Sequence, residues 1–232
     1  MGKKVNRKQS KSGSRERIIQ AAVRLFARYG FAGTGLRELA QDADVNLAMI
    51  NYFFGSKKEL LKEILDIFLS GYLELARREL TGDGDLEAKL ARFICQAITY
   101  FEEHRDYLLV TITELPHDDP DIIEYKATWG RQMMKIMEEE VCRHLAGPGG
   151  KTVPPMVISP VLTSLMASRF LFAPVMEQVR PERGGILETG EYQEIISRIT
   201  LRGLMALQKD YEPNGLEKEG ERKNKGRADE DE

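Results

Sequence analysis

From Asn46 to Lys57 the chain reads N-L-A-M-I-N-Y-F-F-G-S-K, a run that separates into two faces if it is helical. Ile50 and Phe54, four residues apart, point one way; Leu47, Ala48, Met49, Asn51 and Tyr52 are left nearer the outside. The chemistry available to such a face is recognition. Small and apolar side chains approach thymine methyls, an Asn pairs bidentately with adenine, and a Tyr hydroxyl reaches a phosphate. Lys57 stands in the first turn of the next helix, where the dipole favours acids, so a phosphate would account for it. Catalysis is not expected: no nucleophile, base and orienting group recur in a readable constellation. No metal or cofactor is expected either, because no cluster has zinc-site spacing. His117-Asp118-Asp119-Pro120-Asp121 reads better as a helix start, with Asp119 as N-cap and Pro120 in the first position. Cys95 and Cys142 sit inside apolar helical patterns and make no disulfide framework.

The elements that must position this face come before and after it. Ile18, Ala22, Leu25, Phe26 and Tyr29 recur at helical spacing from Arg15, with Gly30 as a left-handed stop. Leu36, Leu39, Ala40 and Ala43 form the inner side of a short second helix opened by Gly35, a nearly adequate cap. Asp44-Val45-Asn46 makes the turn, and Asn46 caps the third helix. Ser56-Lys57-Lys58-Glu59 is a capping box that opens a fourth helix, and no breaker interrupts it through Ala76. Further helical patterns follow at about Leu86 to His104, Tyr107 to Leu115, Pro120 to Ala146, Val157 to Val179 and Glu191 to Tyr211. The expectation is an all-α protein of about nine helices: a three-helix helix-turn-helix head at 15–62 and a larger helical domain at 63–211. A disordered basic arm is expected at 1–14 and a disordered charged tail at 212–232.

Charge is unevenly divided. The net charge of −3 combines a head and arm with 13 Lys and Arg against 5 Asp and Glu in residues 1–62, and a remainder with 21 against 32. Only the first part suits a polyanion. The basic N-terminus lacks the apolar stretch of a signal peptide, and the most apolar segment, Val157 to Val179, is broken by Pro160, Arg169, Pro174 and Glu177. A cytoplasmic protein with no membrane partner is the expectation.

Taken together, RERIIQAAVRLFARYGF, then TGLRELA, then DVNLAMINYFFGSKKELL, covering roughly residues 15–62, resemble the TetR family of bacterial transcriptional regulators. The resemblance implies a homodimer whose heads bind double-stranded DNA at a palindromic operator. It also implies a C-terminal pocket whose small-molecule effector weakens that binding. Thr34, Arg37, Asn46, Leu47, Ala48, Met49, Asn51, Tyr52 and Lys57 fall on positions that such proteins use at DNA. Asp44 replaces the usual turn Gly, which Asp can do because it tolerates a left-handed conformation. Asn51 stands where Tyr is common and Phe53 where His is common.

Beyond the head, the segment from Val161 to Val179 is apolar nearly all round, so it needs cover on two sides, and a second copy of the chain is the economical cover. Leu162, Met166, Phe170, Ile195 and Ile199 are the expected interface. Phe93, Phe101, Tyr107, Trp129, Met133, Met137, Met166 and Phe170 are the candidate lining of an effector pocket, since flexible Met suits varied apolar guests. The leading reading is a repressor released by an apolar or amphipathic effector. The alternative is a DNA-binding protein whose C-terminal domain takes a protein partner; a closed apolar cavity favours the first, a filled core with an exposed apolar patch the second.

Overall fold

The computed structural model describes residues 3–113, 119–145, 153–179 and 187–210. Nine α-helices and no strand occur among them: α1 (Lys3–Gly33), α2 (Leu36–Asp42), α3 (Leu47–Phe54), α4 (Lys57–Thr81), α5 (Leu86–Glu103), α6 (Arg105–Thr113), α7 (Pro120–Met137), α8 (Pro155–Val179) and α9 (Thr189–Asp210). Helix α7 widens into a π-helical turn at Glu138–Cys142. The 212–232 tail, His117 and Asp118 lie outside the described residues. The expected arm begins otherwise than the sequence suggests, because the backbone of α1 is helical from Lys3 rather than from Arg15. Gly30 is left-handed as expected, at φ 77°, but it kinks the chain and one further turn follows it to Gly33.

Side-chain caps set most of the starts. Asn46 Oδ1 accepts from the Ala48 N–H, Ser56 Oγ from Glu59, Asp85 Oδ1 from Ala88, and Asp119 Oδ1 from Asp121 and Ile122. Gly35 opens α2 with its backbone alone.

Two apolar cores result. The head core gathers Ile18, Ala22 and Phe26 of α1, Leu39 of α2, Ile50 and Phe54 of α3, and Leu60, Leu61, Ile64 and Leu65 of α4. Val110 of α6 and Ile122 of α7 complete it, so the head is not sealed within residues 15–62. The body core begins one turn further along α4, at Phe68, Tyr72 and Leu73, and continues through α5, α7, α8 and α9. One face of α4 therefore belongs to both cores. Buried Tyr72 shows how dry the second is: burial pushes its phenol up to about 12, although Thr163 Oγ1 lies 3.3 Å from the hydroxyl.

Head and body are also pinned by charge. Lys58 Nζ lies 2.8 Å from Asp119 and 3.3 Å from Asp121, at the start of α7. The hydrogen bond from Lys58 lowers the Asp119 carboxyl below its ordinary 3.8, and the same bond raises Lys58 above 10.5. A lowered acid stabilises above its ordinary value and loses that contribution as pH falls through its folded value; a raised base stabilises below its ordinary value and loses it as pH rises through its folded one. Asp119→Asn, which keeps the cap, should therefore be less stable than wild type in urea melts between about pH 4 and pH 10. The two proteins should converge below that window, and equal stability within it would contradict the pin.

Candidate nucleic-acid interface

The recognition face depends on a turn that must hold still. Asp44 carries it with φ 50°, the one non-glycine positive φ among the described residues. A left-handed residue between two helices leaves carbonyls without helical partners. Arg17 of α1 supplies them: its Nε donates to the Ala43 carbonyl at 3.0 Å and Nη2 to the Asp44 carbonyl at 3.3 Å. Arg24 adds a 2.7 Å bridge to Asp42 at the end of α2. Neither arginine is marked by the helical periodicity of α1. The signal for Arg17 is the turn itself, whose carbonyls require a long donor from a neighbouring helix.

On α3, Ile50 and Phe54 are buried, and Ala48, Asn51 and Tyr52 face solvent, with Tyr52 68% exposed. Leu47 and Met49 are half-buried at the edges of the same face. Arg37, on the outer side of α2, is exposed beside it. Asn46 is exposed, but its side chain serves as the helix cap. Two of the expected contacts behave differently. Thr34 is buried, its hydroxyl donating to the Gly30 carbonyl at 2.9 Å. Lys57 Nζ donates to the Thr34 carbonyl at 2.7 Å and lies 4.3 Å above the Phe31 ring. An internal acceptor and an aromatic face fix the position of this lysine in the first turn of α4, the residue for which the sequence suggested a phosphate.

The model of bacterial regulatory proteins of the tetR family matches residues 18–64. Residues 18–64 thus carry the pattern of the TetR family. It is 33% identical over 122 residues to the Probable HTH-type transcriptional regulator YttP of Bacillus subtilis, covering 51% of this chain and 58% of that one. It is 27% identical over 111 residues to the HTH-type transcriptional repressor NicS of Pseudomonas putida, covering 48% and 52%. The chain thus spans about half the length of the curated relatives it matches. In fold it is similar to the transcriptional regulator FadR from Bacillus subtilis in complex with stearoyl-CoA, with a TM-score of 0.63 at 14% identity over 81% of this chain and 98% of that one.

The residues expected to line a TetR effector pocket instead interlock. Phe93, Phe101, Met133, Met137, Met166 and Phe170 are buried in the body core, and Tyr107 and Trp129 pack against it. Tyr72 stands 6.0 Å from Phe93 and 5.2 Å from Phe101, which meets Phe170 edge-on at 6.5 Å. Trp129 differs from the rest, since it also lines a groove at the head–body junction. An apolar cavity of about 310 Å³ lies elsewhere, between α8 and α9, walled by Ile158, Leu162, Leu165, Ile199 and Leu204.

The five expected interface residues also divide. Leu162, Met166 and Phe170 turn inward and are buried, whereas Ile195 and Ile199 are 39% and 54% exposed. The outward apolar strip of α8 is Val157, Val161, Phe172, Val175, Met176 and Val179. By length and composition α8 could cross a membrane, but its inner face is body core. Arg169 lies over the Phe170 and Tyr192 rings and donates to Thr189 Oγ1 at 3.2 Å.

The left-handed turn yields a test. Asp44→Gly should leave the melting midpoint nearly unchanged, while Asp44→Val, forcing a β-branched residue to φ 50°, should cost about 1–2 kcal/mol. Thermal melts followed by circular dichroism measure both, and a Val variant as stable as wild type would show that the turn carries no such constraint.

Proposed function

We propose that the chain is a transcriptional repressor that binds a palindromic operator in double-stranded DNA as a homodimer and is released by a small apolar or amphipathic effector. The observation that carries this reading is the outer face of α3 with Arg37: exposed, polar or small, and backed by a fully packed inner face. A recognition helix needs both properties, because base readout fails when the helix can roll. Repression is supported by similarity to a relative described as a repressor, and an amphipathic effector by the shared fold with a regulator described in complex with stearoyl-CoA. Arg37 and Asn51 are assigned to bases, and Tyr52 and Lys57 to phosphates.

The partner copy is assigned to the outward strip of α8 with Ile195, Ile199 and Leu207 of α9. These apolar side chains occupy one side of the body, and a two-fold axis through them presents two heads to one face of DNA. The same strip is what favours the second reading, a different protein docked there, and oligomeric state separates the two. Ile199→Asp should leave the protomer folded but shift wild-type dimers to monomers by sedimentation velocity. Phe170→Asp should instead unfold the protomer, since it places an unpaired charge in the body core at a cost above about 4 kcal/mol. A wild type that sediments as a monomer at micromolar concentration contradicts the assignment.

The division of roles on DNA is tested on the site that the protein itself selects from a random pool. Asn51→Ala should cost about 1–3 kcal/mol on that site and little on unrelated DNA. Lys57→Ala should weaken both and flatten the salt dependence by about one unit. Equal losses on both DNAs for Asn51→Ala would refute base reading by that side chain.

A further inference from the structure

An open groove of about 810 Å³ runs along the junction of head and body, outside both cores. Its walls come from α3, α4 and α7. Phe53 and Phe54 close it from the head, Tyr125 and Trp129 from the body, and Glu59, Glu63 and Asp66 lie along α4 between them with one ammonium, that of Lys62. The lining therefore carries three carboxylates against one cation, on a frame of four aromatic rings.

The chain's own cations show what this surface attracts. Lys62 Nζ bridges Glu59 at 2.9 Å and stands 5.4 Å from the centre of the Tyr125 ring. Arg15, reaching from α1, bridges Glu63 and stands 5.5 Å from the centre of the Phe54 ring. Each pairs with a carboxylate and an aromatic face at once, the arrangement by which desolvated cations are held. Asp66 and Trp129 repeat the carboxylate-and-ring pairing, and among the described residues no side-chain cation bridges Asp66. Asp66 Oδ1 accepts from Tyr125 Oη at 2.5 Å and from Trp129 Nε1 at 3.2 Å, so the carboxylate is fixed in place beside the indole. Burial and donation to Asp66 push the Tyr125 phenol up, so Tyr125 remains a donor and adds no negative charge of its own near neutral pH.

We propose that this groove is a binding site for an organic cation with apolar faces, whose charge is taken by Asp66 and whose apolar body lies against Trp129, Tyr125 and Phe53. The inference rests on the reading of the chain as a ligand-responsive regulator and names a ligand class for it. The groove's position gives the ligand leverage: it touches the recognition helix at Phe53 and Phe54, the head-to-body helix at Asp66, and the body at Trp129. A guest there braces one relative placement of head and body and shifts populations by its differential affinity for the two.

The test uses two ions of the same size and shape with opposite charge, tetraphenylphosphonium and tetraphenylborate, titrated into the full chain without DNA. Trp129 is the only tryptophan, so its fluorescence reports on the groove directly. The phosphonium should change that fluorescence saturably and the borate should not. Asp66→Asn, which keeps the acceptor but removes the charge, should weaken phosphonium binding by roughly tenfold or more. Tyr125→Phe keeps the ring and relieves Asp66 of a donor, and should bind as well as wild type or better. It keeps the test alive if Asp66→Asn fails to fold. No saturable change with phosphonium, equal affinity for both ions, indifference to Asp66→Asn, or loss of binding in Tyr125→Phe would each overturn the proposal. Because DNA is absent, a failure here leaves operator binding untouched, and a protein that binds phosphonium but selects no DNA would fail as a regulator while keeping this site.

Discussion

Helix α4 runs through both cores, and α6 and α7 add smaller links between them. Leu60, Leu61, Ile64 and Leu65 are buried in the head, and Phe68, Tyr72, Leu73, Ala76 and Leu80 in the body, on a single run of helix from Lys57 to Thr81. At roughly 1.5–3 kcal/mol for each large apolar side chain removed from water, neither set can leave its core cheaply. The helix between them has no Pro and no break, so a change in its direction must be carried from one core to the other. Lys58 reinforces this at the same level by joining the head to the start of α7. The body core thereby bears on the placement of the recognition face through α4.

That face depends in turn on a chain of small fixed points. Arg17 holds the carbonyls around left-handed Asp44, Asn46 caps α3, and Lys57 ties the start of α4 to the carbonyl of Thr34, whose hydroxyl reaches back to the kink at Gly30. The Arg17 contacts tie the α2–α3 turn to α1, and the Lys57 contact ties the start of α4 to the α1–α2 connection. The elements of the head therefore keep their mutual angles although α2 and α3 have only seven and eight residues. Helices that short are marginal alone and take their stability from tertiary packing. Ala48, Asn51, Tyr52 and Arg37 are left exposed on the solvent side of this packed head.

Most of this architecture could be read from local patterns. Asn46, Ser56 and Asp119 announce helix starts through their own side-chain chemistry, and Ile50 with Phe54 announces an inner face through spacing. Other features could not be read that way. Helix α8 is apolar on nearly every side, so periodicity assigns it no direction, and the inward turn of Leu162, Met166 and Phe170 emerges only when α5, α7 and α9 are packed against it. The Met and aromatic residues of the body look the same in sequence whether they line a void or pack a core; here they are buried against one another, and open volumes also occur at the α8–α9 seam and the head–body junction. Arg17 and Lys57 escape a linear reading for a related reason. Their partners are backbone carbonyls, which carry no sequence signal of their own.

The central claim is that α4 acts as one rigid member across the head–body junction. Native-state hydrogen exchange, resolved to individual amides along α4, measures this directly, because local opening between two independently stable units exposes the amides that join them. Amides from Leu65 to Leu69 should be protected to the same free energy as those on either side, at Leu61 and Leu73. A band of faster exchange at the junction, with protected segments flanking it, would divide α4 into two units and contradict the account.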